Sequence, residues 1–277
     1  MIEGDDRAIF ASDMHLGEHD AASAEFFLDA LSQISSTSSS LRPSHLFLLG
    51  DLFELWVGDD DHSQAPAQRL QAILSELSKQ RCKVWIMGGN RDFLLGEPMS
   101  NIASWVALCD ANLLSDPCKI TLFGQPTVLT HGDLLCTKDS AYQTFRVSIR
   151  DPQMIDSLLK KPLAQRRALG AEVRVTSEHD KQGKPMAWMD AQEAAILSML
   201  KEHQALQMIH GHTHLPQLHK HSVKLAAQAD WQEALRWVLS DWQAGSESPK
   251  IAQRGAFLCF DQQGARWINP KRKTEPV

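Results

Sequence analysis

The sequence predicts an α/β protein made of packed sheet and helix layers. Three observations carry that expectation. Short apolar runs of strand length alternate with longer segments of helical period. Each of five runs ends in a polar cluster, and open α/β sheets gather their ligands at the carboxyl ends of strands. The chain has 277 residues, 43% of them hydrophobic, enough for one large core.

The elements follow in order. "AIFAS" reads as a strand ending at Asp13, and "AASAEFFLDALSQI" repeats apolar residues every three or four positions, as a helix does. "SQISSTSSSLRPS" (Ser32 to Ser44) reads as a flexible connection. "HLFLLG" leads to Asp51, the helical "APAQRLQAILSELSKQ" follows, and "KVWIMGG" leads to Asn90. "PTVLT" leads to His131, and "LQMI" to His210. "RWVLSDW", "GAFLCFD" and "ARWI" complete the strand-like runs. Residues 146–184 differ from the rest: nine Lys/Arg face five Asp/Glu there, with Met154, Ile155, Leu158, Leu159, Leu163 and Leu169 among them. This stretch reads as an inserted helical cap, although its composition alone favours a solvated amphipathic helix pair.

Composition narrows the function. A net charge of −6 and a pI near 6.0 argue against a nucleic-acid binder, which carries a basic balance. Five scattered cysteines without a CxxC pair read as reduced thiols rather than a disulfide frame. The acidic start has no signal-peptide pattern, and no apolar stretch approaches the roughly 20 residues of a membrane span.

The stretch "IHGHTHLP" places His210, His212 and His214 at alternate positions. Helical metal sites space histidines three or four apart, whereas residues i and i+2 share a face only in an extended segment. A His-rich surface loop has the same spacing, so the other clusters must decide. These are "SDMHL", "GDLFELWVGDD", "GGNRDF" and "THGDLLCTKD". Together they supply carboxylates, imidazoles and an amide oxygen but no thiolate at the tip. That set suits Mn²⁺, Mg²⁺, Fe or Zn²⁺ and disfavours a structural cysteine zinc site. Seven such ligands exceed one ordinary site and would serve two metals sharing a carboxylate. The run Asp59, Asp60, Asp61 reads as a solvated loop, not as ligands.

The order Asp-x-His, Gly-Asp, Gly-Asn, His, Gly-His-x-His resembles that of the calcineurin-like metallophosphoesterases. The resemblance implies a sandwich of two mixed β-sheets flanked by helices, as one domain over residues 1–277 with a helical cap inserted at about 142–187. It implies one metal on Asp13, His15, Asp51 and His214 and another on Asp51, Asn90, His131 and His212. His210 is then a packed neighbour. "GDLFELWVGDDD", "GNRDFLLG", "HGDLLCTKD", "AYQTFR" and "IHGHTHLP" narrow the likeness to the UDP-2,3-diacylglucosamine hydrolase family of lipid A biosynthesis in Gram-negative bacteria. That family releases UMP and 2,3-diacylglucosamine 1-phosphate, uses Mn²⁺, and works as a peripheral protein on the cytoplasmic face of the inner membrane.

Carried over by position, the family's catalytic group falls on Asn90, Arg91 and Asp92, with Asp92 orienting a neighbouring donor. Its substrate contacts fall on Asn90, Arg91, Asp139, Tyr142, Ser177, Lys181, Lys184 and His212. Tyr142 fits equally well as a half-buried helix residue. Three positions depart from the family: Lys138 and Lys181 replace the usual Asp and Asn, and Leu215 replaces an Arg. The partners implied are UDP-2,3-diacylglucosamine and an anionic membrane surface, with no nucleic acid; the sequence leaves the oligomeric state open, with a monomer favoured. A metallophosphoesterase for a soluble or cyclic nucleotide would share the metal site but would have no use for an apolar cap.

Overall fold

The computed structural model describes residues 1–182, 188, 190–247, 250–251 and 253–269. Two sheets lie face to face between helices. The first has the order β13-β12-β1-β2-β3-β4. Its strands β1 (Ala8–Ala11), β2 (His45–Leu49), β3 (Lys83–Met87) and β4 (Asn112–Leu114) run parallel. The hairpin of β12 (Phe257–Asp261) and β13 (Gly264–Ile268) joins antiparallel at β1. The second sheet has the order β5-β6-β7-β9-β8. Strands β6 (Gln125–Thr130), β7 (Gln207–His210) and β9 (Gln232–Val238) are its parallel centre. Strands β5 (Cys118–Leu122) and β8 (Gln217–Val223) are its antiparallel edges. A small hairpin, β10 (Ser246–Glu247) and β11 (Lys250–Ile251), stands apart.

Strand periodicity explains the layering. Successive side chains point to opposite faces, and β1 is apolar and buried on both. Ile9 and Ala11 of β1 join one core with helices α1 (Ala21–Ser35) and α2 (Ala65–Lys79). Ala8 and Phe10 join another with Phe47, Leu129, Ile209 and Trp237, between the sheets. A third core lies outside the second sheet, where Val128 and Met208 meet Ile196 and Leu200 of helix α7 (Glu193–Glu202). In α1 the stripe Ala24, Phe27, Leu28, Leu31 and Ile34 is the inward face that an amphipathic helix buries. Asp20 caps that helix by accepting from the backbone N–H of Ser23. The helix also takes up the first residues of the Ser-rich stretch, and Ser35 Oγ bonds back to Leu31 O at 2.6 Å.

The stretch expected to form a cap contains α4 (Ser140–Ile149), α5 (Pro152–Leu159) and α6 (Leu163–Gln182); the four-residue α3 (Trp105–Leu108) precedes β4. Neither α4 nor α5 has a fully buried residue. Phe145, Val147, Met154, Leu169, Val173 and Val175 are exposed apolar side chains of these helices.

The acidic run is not the solvated loop that its composition suggests. Asp59 and Asp61 are each 1% exposed. Asp59 accepts from Trp56 Nε1, Gly96 N and Trp105 N, tying three loops together. Asp60 and Asp61 pair with Arg166 and Arg167 of α6. A buried carboxylate survives where donors surround it, and here those donors arrive from residues far away in the chain.

Candidate metal centre

The five polar clusters follow the carboxyl ends of β1, β2, β3, β6 and β7. Backbone bonds stitch these ends together. Asp13 N donates to Gly50 O at 3.1 Å, His15 N to Asp51 O at 3.0 Å, and Gly211 N to His131 O at 2.9 Å. Two groups of ligand atoms result, each within 4.8 Å: Asp13, His15 and His214, and Asp51, His131 and His212. Asp51 faces both. Its Oδ2 lies 3.9 Å from His15 Nε2, and its Oδ1 lies 3.6 Å from His131 Nε2. Asn90 Oδ1 lies 3.0 Å from His131 Nε2.

The backbone here is strained. Asp13, His15, Asp51, His212 and His214 all have φ between 48 and 68°, a left-handed conformation that costs such residues about 1–3 kcal/mol and persists where function uses it. Glycines allow the close approach: a Cβ at Gly89 would collide with Asp51, and one at Gly211 with Asp13 and Ser12.

The residues fit divalent cations. His131 Nδ1 lies 3.0 Å from Leu49 O, so Nε2 faces the cluster, the arrangement in which an outer partner orients a metal-binding imidazole. Asp13 Oδ2 accepts from Ser12 Oγ at 2.6 Å and His212 N at 2.9 Å, which leaves Oδ1 toward His214 Nε2 at 3.2 Å. The protein groups by themselves draw positive charge. Burial opposes charge on His131, yet Asp51, Asp13, Asp133 and Asp116 outweigh it and raise its pKa to about 9. Burial and the charge on His131 hold His212 down at about 4, neutral and ready to ligate.

Other sequence candidates fall around this core. Arg91 N donates to Asp51 Oδ1 at 2.8 Å, and its guanidinium lies 3.4 Å from Glu54. Asp92 is fully buried and faces backbone amides, so it holds the loop and has no open side toward a substrate. Asp139 caps α4 through Tyr142 N. The Tyr142 hydroxyl donates to Asp133 Oδ2 at 2.5 Å, and its ring lies over His212 with centroids 6.4 Å apart. Ser177 is half-buried on α6, Lys181 lies in the last turn of that helix, and Lys184 falls outside the described residues. Leu215, one of the departures from the family pattern, is exposed. His210 is buried, accepting from Arg236 at 3.0 Å through Nε2, with Nδ1 2.8 Å from Gly211 O.

Four residues at the site went unread in the sequence. Arg146 pairs with Asp133 at 2.7 Å and Asp116 at 3.4 Å, and Arg150 donates to Gly89 O at 2.9 Å. A signal existed, because Tyr142, Arg146 and Arg150 recur every fourth residue on one helix face. Glu54 and Asp133 gave no periodic signal.

Two carboxylate–imidazole clusters around a shared aspartate, at the strand ends of a two-sheet sandwich, define a dimetal phosphoesterase. Residues 7–216 match the family model described as calcineurin-like phosphoesterase. The UDP-2,3-diacylglucosamine hydrolase of Chromobacterium violaceum is 40% identical over 93% of this chain and 96% of its own. Those of Marinobacter nauticus and Bordetella pertussis are each 37% identical, over 84% and 92% of this chain and 88% and 91% of their own. The chain belongs to the calcineurin-like phosphoesterases and, among them, to the UDP-2,3-diacylglucosamine hydrolase family.

Proposed function

We propose that this protein hydrolyses the pyrophosphate of UDP-2,3-diacylglucosamine, releasing UMP and 2,3-diacylglucosamine 1-phosphate. The observation that carries the reading is the position of Arg150. Its guanidinium donates to Gly89 O, one residue before Asn90, and the same side chain lines a cavity of about 530 Å³ under the cap. Pro98, Met99, Pro152, Ile155 and Leu159 form the apolar part of that cavity, and Glu97, Ser100, Asp156 and Lys160 line the rest. A substrate with a charged diphosphate and two acyl chains has this polarity, whereas a soluble nucleotide has no use for the apolar wall.

One metal is assigned to Asp13, His15, Asp51 and His214, the other to Asp51, Asn90, His131 and His212, and Mn²⁺ is the proposed ion. Mg²⁺, Fe and Zn²⁺ suit the same donors. Ions held by these residues would supply Lewis acidity, lowering the pKa of water and offsetting negative charge on the phosphoryl group. Arg91 offers a planar fork to a phosphate that lysine does not reproduce. Asn90 ligates without adding negative charge, and Asp92 keeps the Asp51 loop in register. Substrate contacts are assigned to Asn90, Arg91, Asp139, Tyr142, Ser177, Lys181, Lys184 and His212, and the cap spans about 142–187.

No helix among the described residues is long and apolar enough to cross a membrane. The exposed apolar residues of α4 to α6, beside the Lys and Arg of the cap, support peripheral docking on the anionic cytoplasmic face of the inner membrane. The working unit is proposed to be a monomer.

The test is UMP release from UDP-2,3-diacylglucosamine and from UDP-glucosamine, using metal-stripped protein with Mn²⁺, Mg²⁺ or Zn²⁺ restored. Metal-dependent turnover of the acylated substrate alone is expected. Equal turnover of the unacylated nucleotide would move the protein to the soluble-nucleotide branch and leave the dimetal site standing.

A further inference from the structure

The segment after Asp51 carries the long cap helix. Arg166, Gly170 and Arg174 lie four residues apart on α6 and form one face. That face lies along residues 54–61. Arg166 donates to Val57 O and Asp60, and Arg167 to Asp61. At Gly170 a Cβ would come within 2.6 Å of Leu55 Cδ1, so helix and segment are in direct contact. At the far end Arg174 Nε lies 2.8 Å from Glu54 Oε1.

Glu54 has three further partners: His19 at 4.0 Å, and two at the metal site. Its Oε2 lies 3.0 Å from His15 Nδ1, an ion-pair contact rather than an aligned hydrogen bond, and its Oε1 lies 3.4 Å from Arg91. The backbone brings it there. Leu16 N donates to Leu52 O, and Glu54 N to Leu16 O, zipping the loop after β1 to the loop after β2. Trp56 N then donates to Arg91 O at 3.1 Å and draws in the loop after β3. One carboxylate, 8% exposed, thus touches a candidate metal ligand, a candidate phosphate-binding arginine and the cap.

We propose that Glu54 is a positioning residue that couples the cap to the metal centre. It orients the His15 imidazole and holds Arg91 in line, and Arg174 fixes it from the cap side. A cap docked through Arg174 leaves Glu54 shared between the cap, His15 and Arg91. A cap lifted at that end would let Glu54 draw Arg91 back and so lower affinity for the diphosphate. This inference rests on the two-metal reading above, and its metal-binding arm does not depend on the identity of the substrate.

The test uses the full chain. Mn²⁺ affinity is measured by titration calorimetry on metal-stripped wild type, Glu54→Gln and Arg174→Gln, and kcat and KM are measured with UDP-2,3-diacylglucosamine. Glu54→Gln keeps the size and removes the charge, and its Mn²⁺ affinity should fall at least about tenfold, as for other outer partners of metal ligands. Arg174→Gln alters a half-buried side chain that touches none of the candidate metal ligands. It should leave Mn²⁺ affinity unchanged and raise KM with little change in kcat. The double variant should raise KM no further than Glu54→Gln alone, since both act through one carboxylate. Unchanged Mn²⁺ affinity in Glu54→Gln overturns the proposal, and so does an Arg174→Gln protein with wild-type KM. If the wild type leaves UDP-2,3-diacylglucosamine uncleaved, the substrate assignment fails, while the Mn²⁺ titrations still decide the role of Glu54.

Discussion

Asp92 Oδ1 accepts the backbone N–H of Asp51 at 3.2 Å, so one buried aspartate fixes the main chain of the aspartate that both ligand clusters share. The same carboxylate accepts from Leu52 N at 2.7 Å, Phe53 N at 3.3 Å and Gly89 N at 2.6 Å. It holds the strand ends of β2 and β3 at the spacing that the site requires. Asp92→Asn would turn an NH₂ group toward at least one of these donors. The expected loss is about 2–3 kcal/mol of stability, the scale of a hydrogen bond to a charged group, with divalent metal bound about tenfold more weakly. Urea denaturation and metal titration of the variant measure both.

Removing a ligand should cost more than removing its support. Asp51→Asn and His15→Ala are each expected to lower kcat/KM by more than about 100-fold, beyond the usual cost of losing an outer partner. Their circular dichroism should stay that of the wild type. Full activity in either folded variant would remove the two-metal reading.

The pH dependence of the metal-stripped protein follows from His131. Its folded pKa is about 9, above the ordinary histidine value, because the surrounding carboxylates outweigh burial. A raised pKa means that the folded state holds the proton more tightly than the unfolded state does. The stabilisation is complete below the ordinary value of about 6.5 and is lost as pH rises through 9. The melting temperature of stripped protein should therefore fall between pH 6.5 and 9, while metal-loaded protein lacks this slope. Apparent metal affinity should rise over the same window, since a ligand proton must leave. Calorimetric melts and Mn²⁺ titrations across that range check both signs.

The hold on the cap is also testable. Arg166 is 3% exposed and donates to Val57 O, Asp60 and Lys161 O. Arg166→Met would leave those acceptors without their donor and is expected to cost about 3 kcal/mol, as when a buried pair is broken from one side. Limited proteolysis should then cut faster between α5 and α6. Unchanged cleavage would mean that the apolar contacts of α6 and its pairs through Arg167 and Arg174 hold it without Arg166.

Much of the fold is legible in the chain because its signals are local. "HLFLLG" is a strand by its apolar run, and both faces of β2 are buried. "AASAEFFLDALSQI" is a helix by its period, and α1 follows it. The ligand clusters stand out because Asp13, Asp51, Asn90, His131, His212 and His214 each follow a strand-like run. The edge strands β5 and β8 were not legible. Their burial is patchy, so neither alternation nor a continuous apolar run marks them.

By itself the sequence determined the strand ends, the polar clusters that follow them and the family, since each depends on residues close together in the chain. Only the tertiary structure decided what the polar residues between them do. Asp60 and Asp61 look solvated until α6 supplies Arg166 and Arg167, more than a hundred residues away, and Asp59 until the backbone amides of Gly96 and Trp105 reach it. Glu54 has no periodicity to distinguish it and takes its meaning from His15, Arg91 and Arg174, on three other segments. The physical reason is that burying a charge costs several kcal/mol unless a partner meets it. Whether a partner meets it is settled by how distant segments pack, which no local pattern records.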